Sequence, residues 1–468
     1  MSRFGVQVFK GFIGNVLTAV IGFLGSILFA RVLGPGGYGA FYTISAVVNL
    51  ADNPVQGFGI AGKKRLSESD TDAAEIVGAA LLVGLASILL LSPFVLLFGI
   101  PFIDVQRERE YFVLLLSGLV FFKLLQPLVA GSGKFGIPTV LDSGRSFFTI
   151  TLQVVLVYIG WDVGGMVAGL AVGSLLMVPI SYRVLGIRPA WPSRDVLRNL
   201  WEYARWSMPK AAVGAAISRM DILILSTILT TGAAGQYRAA MNILVPATFV
   251  SGVIGSGVFV DTSETISRNE DPRERIELGV GFASILAIPI LFGAIAMPVD
   301  IVTTIYGTQY QEAGTVLVIL AAYKLLETQT DQLFGAISGL DRPDIRFYIS
   351  LGVLVMNVGL GVPLAYRMGL MGVVIATLLT AVAQWIAALY LSQRLIDFST
   401  VPKPILEQLT AGIVMFLIVF PAHRVYGVGW WGDLFGLIAL GAAVYGLVLF
   451  TISPILRAAL RSFINDIS

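Results

Sequence analysis

The sequence predicts an all-α polytopic membrane protein of about fourteen transmembrane helices, two pseudo-symmetric six-helix lobes followed by two appended C-terminal helices. Three observations predict it. Charged residues make up only 13% of the 468-residue chain, about half the share of a soluble domain, and the mean hydropathy is +0.84. Apolar runs of membrane-spanning length recur from one end to the other. Lys and Arg residues cluster in alternate connections between those runs.

A helix crosses the hydrocarbon core in about 20 residues. Runs of that kind fall at 11–33, 38–62, 73–100, 111–131, 140–160 and 163–184. After a charged stretch from Arg188 to Arg205 they resume at 206–231, 235–260, 276–299, 312–336, 345–366, 369–392, 404–422 and 432–453. The first run is longer than the roughly 7–15 residue core of a signal peptide and reads as a retained span. With the N-terminus in the cytoplasm, alternation puts most basic residues inside, including Lys63, Lys64, Arg65, Lys134 and Arg145. This predicts a cytoplasmic-membrane protein with both termini cytoplasmic. The outer connections at 34–37, 161–162 and 232–234 are too short to hold a domain.

The longest inner connection, 186–205, reads as an interfacial helix. Ser193 can cap it, and Val196, Leu197, Leu200 and Trp201 form an apolar stripe beside Arg194, Arg198 and Arg205. It divides the chain into an N-terminal lobe over 1–185, a linker over 186–205, a C-terminal lobe over 206–395 and the appended helices over 396–468. Two self-matches straddle it. Phe122-Lys123-Leu124-Leu125-Gln126 recurs as Tyr323-Lys324-Leu325-Leu326-Glu327, and Leu33…Gly39-Ala40-Phe41 recurs as Leu229…Gly235-Gln236-Tyr237. A repeat displaced by six spans keeps its orientation, one of the symmetries found in alternating-access carriers.

Composition also excludes functions. The chain has no cysteine, which removes disulfides, thiolate metal sites and a cysteine nucleophile. Its one histidine, His423, cannot alone build a zinc site or a catalytic triad, and its place at the outer end of a span suits an interfacial anchor. A net charge of +2 points to no nucleic-acid partner. No cofactor is implied, and the chain does not read as an enzyme.

Ionisable side chains at mid-membrane depth cost from about 2.5 to more than 10 kcal/mol unless paired or wetted. Lys123, Arg219 and Lys324 lie at that depth in three spans, and Asp52, Asp221, Glu327 and Asp331 at similar depth. The cations suit an anionic group of a substrate. The acids would neutralise them in its absence or carry a coupling ion, H⁺ or Na⁺. Lys324 can pair with Glu327, and Glu327 shares a face with Asp331. Internal ion pairs that only hold the bundle together are the alternative.

Two segments carry a family resemblance: Phe29-Ala30-Arg31-Val32-Leu33-Gly34-Pro35-Gly36-Gly37-Tyr38-Gly39, and Met208-Pro209…Ser218-Arg219-Met220-Asp221-Ile222-Leu223-Ile224-Leu225…Gly235-Gln236-Tyr237. With them the sequence resembles the polysaccharide-transporter (oligosaccharide flippase) branch of the multidrug/oligosaccharidyl-lipid/polysaccharide exporter superfamily, over essentially its whole length. The resemblance implies two six-helix lobes around a cavity, and movement of polyprenyl- or dolichyl-linked saccharides to the outer leaflet by alternating access driven by an ion gradient. It implies the lipid bilayer, a lipid-linked saccharide and polysaccharide-assembly enzymes as partners. The pyrophosphate would meet Lys123, Arg219 and Lys324. Relatives that flip the peptidoglycan precursor use several arginines in the N-terminal lobe, whereas the mid-depth cation there is a lysine in this chain. The alternatives are a cation-coupled multidrug exporter, whose cavity should be acidic rather than cationic, and a membrane glycosyltransferase or polymerase. The latter needs a large outer loop with paired carboxylates, and the Asp104–Glu110 loop is short and of mixed charge.

Overall fold

The computed structural model describes residues 3–68, 72–100, 107–268, 271–340, 342–396 and 402–458. Asp104 of the expected outer loop and the basic Arg461 lie outside the described residues. The described residues form helices joined by short connections, with no strand among them, as hydrocarbon requires of a backbone that must satisfy its own hydrogen bonds. It divides into two compact units, 1–235 and 236–468.

The first unit contains α1 (Arg3–Leu66), α2 (Ala73–Phe98), α3 (Glu108–Gly131), α4 (Ile137–Tyr158), α5 (Asp162–Leu185) and α6 (Arg194–Ile224). The run of α1 is two helices joined at Gly34, whose φ of 65° is open to glycine at little cost. Pro35 then supplies the fixed φ that restarts a helix. The two spans expected at 11–33 and 38–62 are therefore the two arms of α1. Beyond the bend, a side chain at Gly39 would run into the backbone carbonyl of Thr231.

The linker differs from the interfacial helix expected over 186–205. Residues 186–193 are not helical. They are held against α2, where Ala190 N–H donates to Ala74 O at 2.9 Å and Ser193 N–H to Glu75 Oε2 at 2.7 Å. The helix begins at Arg194, capped by the Ser193 hydroxyl on Val196 N–H, and continues without a break to Ile224. The stretch 194–205 is thus the first third of a membrane helix. Leu200 and Ala204 are buried with Phe58, Ile76, Leu125 and Leu128 in the core at this end of the unit. Because α6 packs along α1, residues 206–235, expected in the second lobe, group with the first unit.

A short helix, α7 (Thr231–Ile243), leads into the second unit. There follow α8 (Phe249–Ser267), α9 (Arg273–Ala283), α10 (Ala287–Ala296), α11 (Pro298–Tyr306), α12 (Gln311–Gly339), α13 (Pro343–Leu395), α14 (Lys403–Tyr426) and α15 (Trp431–Ile452). Two expected spans are broken. The 235–260 run is interrupted by a 3-10 turn at 245–248, where Pro246 cannot donate to the ladder. The 276–299 run breaks between Ala283 and Ala287. Glutamines on neighbouring helices take up carbonyls that the second break releases: Gln329 Nε2 donates to Val280 O at 3.1 Å and Gln408 Nε2 to Gly281 O at 2.8 Å. Helix α13 bends at Gly369, φ 61°, as α1 does at Gly34.

Ten helical stretches among the described residues are long and apolar enough to cross a membrane. Two of them, 47 and 52 residues long, are bent in the middle and have the length of two crossings each. Helix α12 has the length but not the apolarity, since Lys324 and Glu327 sit near its middle and Asp331 one turn further on.

Gly39→Val forces the second arm of α1 away from Thr231 and should destabilise the fold by about 1–3 kcal/mol. A melting temperature in detergent equal to wild type would contradict this packing.

Candidate functional site

Three helices of the first unit turn a polar stripe to one place. On α1 the residues are Asn49, Asp52 and Gln56; on α3, Leu119, Phe122, Lys123 and Gln126; on α4, Pro138, Thr139, Asp142 and Arg145. Each set follows the three- and four-residue spacing that keeps side chains on one helical face. Except for Asp52, which lies behind the wall, these residues line a cavity of 610 Å³, closed by Leu170 of α5 and Arg219 of α6.

The central contact is an ion pair. Asp52 is fully buried, and Lys123, 21% exposed, approaches its Oδ2 at 2.8 Å and its Oδ1 at 3.0 Å. Lys123 Nζ also donates to Asn49 Oδ1 at 2.7 Å, and Asn53 Nδ2 donates to Asp52 Oδ1 at 3.2 Å. Arg219 enters from α6 close enough to act on Asp52 electrostatically. The pair has an acid behind the wall and an ammonium at its surface, so the lysine faces the cavity in a fixed position. A second pair lies on α4, where Arg145 Nε and Nη2 both donate to Asp142 Oδ1, at 3.0 and 2.9 Å. The Arg145 guanidinium stands over the Phe122 ring, 5.4 Å from its centroid. Gln126 has neither amide atom bonded, although both are buried.

The structure therefore brings three of the sequence-predicted residues together, Asp52, Lys123 and Arg219. Asp221 lies two residues further along α6 and is half-buried. The others belong to the second unit. Lys324 Nζ meets Glu327 Oε2 at 2.5 Å within α12, and the Tyr323 hydroxyl donates to Glu327 Oε1 at 3.1 Å. Asp331, one turn on, is exposed. His423, expected as an interfacial anchor, is instead paired through Nε2 with Asp300 Oδ2 of α11 at 2.8 Å. No cluster of three or more metal-ligating His, Cys, Asp or Glu side chains occurs among the described residues.

Six polar residues of this site were not anticipated: Asn49, Gln56, Gln126, Asp142, Arg145 and Thr139. The first three carry no charge to reveal their depth, although the polar stripe at 49, 52, 53 and 56 was legible as a pattern. Arg145 was assigned to the inner connection. With α4 starting at Ile137, it sits about 12 Å into the helix at 1.5 Å per residue. The contrast with relatives rich in cavity arginines consequently weakens, because Arg145 and Arg219 both line this cavity.

Lys123→Ala strands a buried carboxylate and should cost about 3–5 kcal/mol. Combining it with Asp52→Asn should recover most of that loss. Equal melting temperatures for the single and double variants would contradict the pairing.

The comparisons with known proteins agree with this architecture. The family described as "Polysaccharide biosynthesis protein" matches residues 28–315. The probable flippase AglR of Haloferax volcanii is 26% identical over 486 aligned residues, covering 99% of this chain and 97% of that protein. The probable low-salt glycan biosynthesis flippase Agl15 of the same organism is 25% identical, with coverage of 97% and 98%. Among solved structures, the inward closed conformation of the lipid II flippase MurJ superposes with a TM-score of 0.78 at 14% identity, over 95% of this chain and 98% of that one. That likeness is one of fold. The chain belongs to the polysaccharide biosynthesis protein family.

Proposed function

We propose that this protein is a flippase: a multi-pass, non-enzymatic transporter that moves a polyprenyl- or dolichyl-linked saccharide across the cytoplasmic membrane for cell-surface glycan assembly. The observation that carries the reading is the first unit's cavity, a polar, cation-lined volume of 610 Å³ inside an otherwise apolar helical bundle. A cavity with Lys123, Arg145 and Arg219 on its walls suits an anionic head group and repels a cationic drug. The Gln56 amide on the same wall offers both donors and an acceptor, which is what sugar hydroxyls require. Names given to the two relatives point the same way, since each is named a probable flippase.

In this reading the diphosphate meets Lys123 and Arg219, and Lys324 serves the corresponding place in the second unit. Counting α1 and α13 twice, α12 once despite its charges, and α7–α8 and α9–α10 as one interrupted span each supports fourteen crossings, and the basic inner connections support cytoplasmic termini. Transport uses a proton or sodium gradient, with Glu327 and Asp331 as the acids that load the ion. Polysaccharide-assembly enzymes supply and consume the cargo on the two faces.

The test is translocation in proteoliposomes, using a fluorescent polyprenyl-diphosphate oligosaccharide with and without a proton or sodium gradient. Gradient-stimulated movement is expected. Efflux of a cationic dye with no movement of the saccharide would replace the reading with a multidrug exporter. The Glu327→Gln/Asp331→Asn double variant should lose most of the gradient stimulation. A full response in that variant would remove both residues from coupling.

A further inference from the structure

The two ion pairs on the cavity wall differ in one respect that decides what each can do. Asp52 has a side chain with no exposed surface. Moving it off Lys123 would leave a buried carboxylate without a partner, a loss of several kcal/mol. Asp142 is 53% exposed while Arg145 is only 20% exposed. Asp142 can swing into water and leave the arginine behind, so Arg145 is the cation whose partner can be exchanged.

Its present bonding is also incomplete. Both Arg145 donors converge on a single oxygen, Asp142 Oδ1, because the two residues are three apart on one helix. A free carboxylate or phosphate could instead offer two oxygens to the planar fork, the stronger parallel arrangement. The Phe122 ring covers one face of the guanidinium and leaves its edge for an in-plane anion.

We propose that Arg145 is a second anion-binding position, which exchanges Asp142 for a carboxylate or phosphate carried on the saccharide of the cargo, and that the protein thereby favours acidic lipid-linked saccharides over neutral ones. The inference rests on the flippase reading and adds to it the class of sugar. The cavity then holds two anionic groups of one cargo, the diphosphate toward Lys123 and Arg219 and the sugar acid at Arg145.

The experiment measures binding of two probes to the purified full chain: a short-chain polyprenyl-diphosphate disaccharide ending in glucuronate, and its glucose counterpart. Wild type should bind the glucuronate probe about tenfold tighter, the worth of one charge-assisted hydrogen-bonded pair. Arg145→Gln should lose that preference, weakening the glucuronate probe about tenfold more than the glucose probe. Asp142→Asn, which removes the competing carboxylate, should tighten the glucuronate probe alone, and it decides the matter if Arg145→Gln fails to fold. No preference in wild type, or an unchanged preference in Asp142→Asn, overturns the proposal. So does equal weakening of both probes by Arg145→Gln, which would give Arg145 to the diphosphate instead. Binding of neither probe by wild type would overturn the flippase reading itself.

Discussion

A charged side chain inside hydrocarbon must find either a partner or water, and the Lys123–Asp52 pair of the first unit satisfies both conditions at once. The carboxylate is sealed behind the wall and the ammonium stands at the cavity surface. Around that contact the helices are arranged to keep the wall polar. Asn49 and Asn53 on α1 brace the pair from one side, Arg219 comes in from α6, and the apolar backs of the same helices face the core formed by Phe58, Leu125 and Leu128. The second unit solves the same problem locally, within α12, where Lys324, Glu327 and Tyr323 bond to one another.

The same constraint governs the backbone. Where the 276–299 span of the second unit is interrupted, two buried glutamines reach the freed carbonyls, Gln329 at Val280 and Gln408 at Gly281. These residues bear on stability and on the capacity of broken helices to bend, because each replaces a ladder bond that water cannot supply at this depth. Breaks satisfied in this way can form and persist inside a membrane.

The helical fold was legible because hydropathy and basic-residue placement are strong signals. The depth of Lys123 and Asp52 singled out both members of the central pair before any geometry was known. The outer connection expected at 34–37 falls at the bend of α1, where Gly34 precedes Pro35. What escaped was information that no single segment contains. Gln126 looks like an ordinary polar residue in an apolar run until α1 and α4 are packed beside it. Arg145 looks like a loop cation until the start of α4 is fixed at Ile137. The linker looked like a surface helix because its stripe of Leu200 and Trp201 is amphipathic, and only the packing of α6 on α1 shows that Leu200 is core while Trp201 is exposed.

Occupancy of the first unit's cavity by the anionic head of the cargo is the central claim, and the absence of native cysteine gives it a clean test. The measurement is the rate at which a thiol reagent modifies the Thr139→Cys variant, with and without a polyprenyl-diphosphate oligosaccharide. Strong protection by the diphosphate-linked saccharide, and none by the corresponding neutral polyprenol, is the predicted result. Modification at the same rate under all three conditions would place the cargo elsewhere and contradict the account.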